Sequence, residues 1–304
     1  MISRRWSGDW ALPPEPSSAN LEVLIPTVDR AAELAVTLAG LAGQDDPPFS
    51  VTVSDQSETS TESRAAVNAM IRVLRAQGRE VRYLEHRPRL GLAEHRQFLL
   101  DQSVADSVLF LDDDVWLEPG MLTRLSDALD TLRCGFVGAA VQGLSYLNDS
   151  RPAQREPFEP WGASVRPEVL RRGSPLVKRM TLHNAANLTH LAGELTLDTG
   201  SWLAYKIAWV GGCVMFRRRL LVECGGFDFW STLPAAHVGE DVAAQWRVME
   251  RFGGAGILPS GAVHLEAPTT VPDRSTEAGD IVFGPATATW PDDTAPDGSG
   301  ATYP

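Results

Sequence analysis

Short apolar runs alternate along the first half of the chain with stretches in which apolar positions recur at helical spacing. "LEVLIPT", Leu21 to Thr27, reads as a buried strand stopped at Pro26. A helix is expected next, with Asp29 as its N-cap and Leu34, Leu38 and Leu41 on one side. "SVTVSDQS" is a second strand. "ESRAAVNAMIRVLRAQG" is an amphipathic helix, with Val67, Met70, Ile71 and Leu74 on one face and Gly78 closing it. "EVRYLEH" is a third strand, "LAEHRQFLLDQSV" a helix, and "SVLFL" a fourth strand. "EPGMLTRLSDALDTL" follows as a helix, with Pro119 suited to its first turn.

Strand and helix in quick alternation predict an α/β domain with a mixed, mostly parallel sheet flanked by helices. Ligands of such sheets bind beyond the carboxyl ends of the strands. Three of those ends carry polar groups, Thr27, Asp55 and the run Asp112-Asp113-Asp114, which should therefore converge on one crevice. The second half is less regular. Residues 145–200 read as a long irregular insertion or loop region with short elements. After it come a strand in "AWVGGCVMF", a short helix in "RRRLLVECGG", and a helix in "GEDVAAQWRVMERFGG". That helix has an acidic start, a stripe of Val242, Trp246 and Met249, and Gly253 at its end. "AGILPSGAVHLE" reads as a final hairpin-like pair. The expected division is a flexible arm over 1–20, one domain over 21–266, and an extended or disordered tail over 267–304, where Pro, Thr, Asp and Gly dominate.

Composition narrows the function. The chain has 304 residues, 43% hydrophobic and 22% charged, close to the average for globular proteins. Its formal net charge of −12 argues against a nucleic-acid partner. Three cysteines with no C-x-x-C spacing argue against a disulfide framework or a zinc site and fit a reducing cytoplasm. The N-terminus lacks the apolar core of a signal peptide, and no stretch approaches the roughly 20 apolar residues of a membrane span. A cytoplasmic protein is expected, with peripheral membrane contact left open.

"VLFLDDDVWLEPG" holds the most informative chemistry. Three adjacent carboxylates at a strand end repel unless a cation neutralises them, and hard oxygen ligands suit Mg²⁺ or Mn²⁺. In an extended segment Asp112 and Asp114 would point one way and Asp113 the other. The alternative is a solvated acidic turn feeding the next helix. Glu240 and Asp241 read equally as first-turn helix acids, and His264 as a structural histidine.

Order and spacing settle more than any single motif. "VLIPTVDRAAELAVTLAGL", "VTVSDQS", "RPRLGLAEHRQFLL", "VLFLDDDVWLEPGML", "GGCVMFRRRLLVECGGFD", "GEDVAAQWRVMERFG" and "PSGAVHLE" together resemble a family 2 glycosyltransferase with the GT-A fold, over about residues 21–266. The resemblance implies an inverting transfer from a nucleotide-diphosphate sugar to a glycan, lipid-linked or small-molecule acceptor, assisted by Mn²⁺ or Mg²⁺. It places Pro26 and Thr27 along the base, Asp55 on the base, and Gly91 and Arg96 near the nucleotide. Asp112 would face the ribose, with Asp113 grouped beside it at the nucleotide. Asp114 would hold the metal, and His264 would be an additional ligand. Asp241 would be the catalytic base, with Glu240 beside it on the acceptor. The turn "DQS" and Gln97, where the family commonly has Asn, depart from its usual pattern. No Q-x-x-R-W follows, as it does in processive members, so a single addition is expected. An aspartate-nucleophile phosphatase and a non-catalytic sugar-nucleotide or glycan-binding module are the rival readings. The basic runs at Arg171-Arg172, Lys178-Arg179 and Arg217 to Arg219, and the rings of Trp202 and Trp230, are further candidates for acceptor contacts.

Overall fold

Seven buried residues in a row, Leu21–Thr27, make strand β1, and both of its neighbours run parallel to it. A strand buried on both faces needs helices above and below it, which is why its sequence is apolar throughout and does not alternate. The computed structural model of the chain describes residues 7–12, 19–198 and 200–284.

Around β1, the main sheet is built from β2 (Phe49–Asp55), β3 (Val81–Glu85) and β4 (Ser107–Leu111). The chain then leaves this sheet for the short β5 (Val115–Leu117), returns in β6 (Phe136–Gly138), and leaves again in β7 (Gln142–Gly143). Strands β8 (Leu203–Tyr205), β9 (Cys213–Arg217) and β10 (Gly254–Leu258) complete the main sheet, and β11 (Ala262–His264) joins the small one. The eight-stranded order is β3-β2-β1-β4-β9-β6-β10-β8, with β9 antiparallel to both neighbours and β8 antiparallel to β10. The second sheet is β5-β11-β7.

Helices α1 (Ala31–Ala42), α2 (Ala65–Ala76), α3 (Leu92–Gln102) and α4 (Met121–Leu132) follow β1, β2, β3 and β5 as the periodicity predicts. Leu34, Leu38 and Leu41 of α1 and Val67, Ile71 and Leu74 of α2 enter one core layer with the strand residues Val23, Ile25, Val51 and Val53. Asp29 does not cap α1. Its backbone turns to φ 57°, its N–H donates to Ser57 Oγ at 2.7 Å, and Arg30 takes the N-cap position.

Two other expectations change, the hairpin and the tail, whereas the region 145–200 holds the short elements expected of it: α5 (Pro152–Arg155), a 3₁₀ segment at Pro175–His183 and α6 (Asn187–Glu194). Its Leu170, Val177, Leu182 and Leu188 enter the second core layer, so much of the insertion is folded against the domain. "AGILPSGAVHLE" is no hairpin: β10 pairs with β6 and β8, whereas β11 pairs with β5 and β7. The chain changes sheets through Gly261, whose φ of 64° favours glycine. After α7 (Arg218–Glu223) and α8 (Glu240–Phe252), the presumed tail forms α9 (Ala278–Phe283). Helix α9 packs on α8 through Phe283 and Trp246, and Val238 bridges Glu277 beside it. The apolar pair Val282-Phe283 supplies the reason: it has a ring and an aliphatic surface to cover. The rest of the tail, from residue 285, and most of the arm at 1–20 lie outside the described residues.

Candidate active site

Strand β4 ends at Leu111, and Asp112 to Asp114 form the turn into β5. Because the segment turns, the alternation expected of a strand fails. Asp113 and Asp114 share one cation: Arg30 Nη1 donates to Asp113 Oδ1 at 3.1 Å and to Asp114 Oδ2 at 2.7 Å. Asp112 looks elsewhere and accepts from Arg96 Nη2 at 2.9 Å. Thr27, at the end of β1, donates its hydroxyl to Asp113 Oδ2 at 2.7 Å. Burial pushes the Asp113 carboxyl up to about 7, and the Asp114 charge adds to the rise. Burial would also raise Asp114, but His264 and Arg30 outweigh it and hold this carboxyl below the usual range.

The other residues expected at the nucleotide divide into two groups. Pro26 and Thr27 line the end of β1 beside Ser54 and Asp55, as the parallel register requires. Asp55 is turned inward. Its Oδ1 accepts from Ser57 N–H at 2.8 Å, and its Oδ2 accepts from the Thr61 backbone at 2.7 Å and from the Tyr83 hydroxyl. In this structure Asp55 builds the loop over residues 55–61, and its carboxylate is not free to meet a base. Burial works against its charge, but these hydrogen bonds prevail and its pKa is lowered. Gly91, at φ 113°, brings the start of α3 against the loop before α8: a Cβ there would lie 2.5 Å from His237 Cε1. His237 Nε2 in turn accepts from the Ala93 N–H at 3.1 Å.

Arg96, only 5% exposed, joins the two halves of the site. Its Nε donates to Glu240 Oε1 at 3.0 Å while its Nη2 holds Asp112. Two of its three guanidinium nitrogens are thus taken by protein carboxylates. It links the aspartate turn to the first residue of α8.

Asp241 follows Glu240 in the first turn of α8. Its Oδ2 accepts from the Trp209 indole N–H at 2.7 Å. A cavity of about 10 Å³, the scale of one water molecule, adjoins it between Arg96, Phe110, Phe227 and Gln245. In this setting burial pushes the Asp241 carboxyl up to about 7. The Glu240 charge adds to the rise, and Arg96 and Trp209 oppose it. Glu240 is also raised by burial, against the pull of Arg96. Trp209 is held in place by α8 itself. Gln245 bonds both backbone groups of Val210, at 2.9 and 2.7 Å, and Trp246 Nε1 donates to Ala208 O at 2.8 Å.

Strand β11 delivers His264 to the aspartate turn, since His264 pairs with Val115 and Leu265 N–H donates to Asp114 O at 2.8 Å. His264 Nε2 is buried and without a hydrogen bond, in electrostatic contact with Asp114 Oδ2 at 3.4 Å. Burial tends to lower this imidazole's pKa, but the Asp114 carboxylate beside it raises it overall. Among the described residues no three His, Cys, Asp or Glu side chains are grouped to hold a metal alone. A carboxylate facing an orphaned imidazole nitrogen nonetheless fits a divalent ion that draws its remaining ligands from water and a diphosphate. His264 is the weaker half of this pair. Its Nδ1 accepts from the Glu266 N–H at 2.9 Å, which places the proton of a neutral ring on Nε2, so Nε2 could ligate only after that proton moves to Nδ1 and the Glu266 bond is given up.

Two residues of the site escape the sequence reading. Arg30, in "TVDRAAE", resembles an ordinary charge at a helix start, and Trp209, in "AWVGG", resembles core. The aromatic residue at Asp241 is Trp209, whereas Trp202 donates to Asp127 at 2.8 Å and Trp230 packs in the core layer. Several members of the basic runs are engaged locally: Arg171 by Glu250, Arg179 by Glu168, Arg217 by Asp130 and Arg219 by Glu223.

The sequence profile described as glycosyl transferase family 2 matches residues 22–191, 170 of the 304 residues. The chain belongs to glycosyltransferase family 2. The match takes in the aspartate turn and Arg96 and stops short of α8. Among solved structures, this family 2 chain is similar to the mannosyltransferase PcManGT from Pyrobaculum calidifontis in complex with GDP-Man and Mn²⁺ (TM-score 0.53, 17% identity, covering 86% of this chain and 61% of that one). It is also similar to S. aureus TarS 1-349 (TM-score 0.51, 16% identity, 80% and 60% covered) and to TarS 1-349 in complex with UDP-GlcNAc (TM-score 0.50, 15% identity, 83% and 60% covered). These likenesses support the GT-A fold, and the chain spans about 60% of the length of those structures. No curated protein matches the chain by sequence. No helix among the described residues is long and apolar enough to cross a membrane.

Proposed function

We propose that this protein is an inverting, metal-assisted glycosyltransferase that moves one sugar from a nucleoside-diphosphate sugar to an acceptor hydroxyl. One observation carries the reading: Arg96 ties the aspartate turn, through Asp112, to Glu240, which supports a single crevice shared by the donor end of the sheet and Asp241.

The acceptor hydroxyl gives its proton to Asp241 as its oxygen bonds to the anomeric carbon. The bond from that carbon to the diphosphate oxygen breaks, and the electron pair leaves with the nucleoside diphosphate. A single displacement from the face opposite the leaving group inverts the anomeric centre. A base whose pKa lies near 7 suits proton removal at neutral pH. Trp209 orients the carboxylate by holding Oδ2. Thr27 and Arg30 fix the aspartate turn, and the loop shaped by Asp55 borders the place of the base.

Charge supports the metal. Among the described residues, Asp112, Asp113, Asp114, Glu240 and Asp241 face two guanidinium groups, Arg30 and Arg96, and the His264 imidazole beside Asp114. An anionic diphosphate would be repelled from such a site without a further cation. Mn²⁺ or Mg²⁺ would be held by Asp114, with His264 joining it once the ring proton lies on Nδ1, and would supply neutralisation of the leaving diphosphate. A single addition is favoured because "QWR" lies within α8, with Gln245 and Trp246 committed to the backbone at Val210 and Ala208.

The test is a thermal-shift screen of UDP, GDP and dTDP sugars with and without Mn²⁺, followed by donor hydrolysis. Mn²⁺-dependent stabilisation by one nucleotide, with hydrolysis weakened in Asp241→Asn, supports the transferase. Release of phosphate from simple phosphomonoesters instead would favour the phosphatase, and binding without any turnover the non-catalytic module.

A further inference from the structure

Arg30 is in an unfavourable place for a cation. It occupies the N-cap of α1, where the helix dipole repels positive charge, and its side chain is 13% exposed. It gives α1 no side-chain cap. What holds it there is the aspartate turn: one nitrogen, Nη1, bridges Asp113 Oδ1 at 3.1 Å and Asp114 Oδ2 at 2.7 Å. Its Nη2 donates to the Pro268 carbonyl. Asp114 Oδ2, the oxygen that Arg30 takes, is the same one that faces the orphaned His264 Nε2. A divalent ion taken up by Asp114 would therefore contest that oxygen with the guanidinium.

We propose that Arg30 is the resident counter-cation of the Asp113–Asp114 pair, that it yields Asp114 to the divalent ion, and that its freed guanidinium then binds the diphosphate of the donor. This rests on the transferase reading above. The chemistry is simple exchange of partners. One carboxylate pair cannot leave water without a cation, so Arg30 keeps the donor-free site neutral enough to fold. When the donor arrives with its ion, the ion serves the carboxylate and the guanidinium serves the new anion, a pairing to which its planar fork is suited. Arg30 is thus a positioning residue for the carboxylates in one state and a donor-binding residue in the other.

The experiment measures Mn²⁺ binding to the full chain without nucleotide, from the free Mn²⁺ signal in electron paramagnetic resonance, for wild type, Arg30→Met and Arg30→Lys. Removing the competitor should tighten Mn²⁺ binding about tenfold to a hundredfold in Arg30→Met, the equilibrium weight of charge-assisted hydrogen bonds. Arg30→Lys, which keeps the charge and loses the fork, should fall between Arg30→Met and wild type. At saturating Mn²⁺ the order should reverse for the nucleoside diphosphate, with Arg30→Met binding it more weakly than wild type. Unchanged or weaker Mn²⁺ binding in Arg30→Met overturns the proposal. Where Arg30→Met does not fold, Arg30→Lys decides: tighter Mn²⁺ binding than wild type supports the exchange, and equal binding overturns it. If wild type binds none of UDP, GDP or dTDP with Mn²⁺ present, the transferase reading itself fails, an outcome separate from the metal-only arm.

Discussion

The indole N–H of Trp209 donates to Oδ2 of Asp241 at 2.7 Å, and the residues on either side of Trp209 are bound to α8 by Gln245 and Trp246. The proposed base and the one side chain that donates to it among the described residues are therefore carried by one rigid unit. Trp209 stabilises the charged form of Asp241, opposing the burial that raises its pKa. Trp209→Phe keeps the ring and removes the donor. The pKa should then climb further above 7, by about one unit if the bond contributes on the order of 1–1.5 kcal/mol. The base acts deprotonated, so activity rises with pH, and the acidic limb of the kcat/KM profile should move to higher pH. A limb at the wild-type position would show that this bond does not tune the base.

Asp241→Asn should reduce transfer by about 10²–10⁴-fold, the usual contribution of a positioned base, with nucleoside diphosphate affinity retained. Isothermal titration alongside the kinetic assay separates the two effects. Equal loss of binding and turnover would place Asp241 on the donor.

Arg96→Met should be costly to the fold. It leaves Asp112 and the buried Glu240 without their shared cation, and breaking such a pair typically costs about 3–5 kcal/mol. Urea denaturation of the two proteins measures it. A loss under about 1 kcal/mol would mean that the link between the two halves of the site is dispensable.

Stability should depend on pH in a definite direction. The folded pKa of Asp241, about 7, lies above the ordinary carboxylate value of about 3.9, so the folded state binds the proton more tightly than the unfolded chain. This group's contribution is fully favourable below about pH 4 and is lost as pH rises through 7. Asp241→Asn removes that dependence. The variant should therefore gain stability relative to wild type between pH 5 and pH 8, read as a widening gap in Tm. A gap that narrows over that range would contradict the raised pKa.

Much of this was legible in the sequence wherever periodicity was strong or polar residues ended an apolar run. Strands β1, β2 and β4 announced themselves by short apolar runs that end in polar residues, and α8 by its acidic start and apolar stripe. Thr27 and Asp112 to Asp114 were found because polar groups at strand ends have one place to go in a parallel sheet. Arg30 was hidden because its partners are 83 and 84 positions away, and one arginine at a helix start carries no local signal. Trp209 was hidden for a related reason: an aromatic residue among apolar neighbours reads as packing, and only the fold reveals an indole N–H aimed at a carboxylate. The change of sheet at Gly261 defeated the hairpin reading because a turn sequence specifies a bend and leaves the partners of the flanking strands undecided. Helix α9 defeated the tail reading because six residues are too few for periodicity to register.

The run from Pro268 to Ala278 takes hold of the molecule twice, at the Arg30 guanidinium and at the backbone of Val238. One anchorage adjoins the aspartate turn and the other lies just ahead of α8, next to the proposed base. If the guanidinium exchanges partners when the donor arrives, the first anchorage slackens while the second persists. A compulsory sequence of arrival, sugar nucleotide before acceptor, would then be written into a single span of backbone.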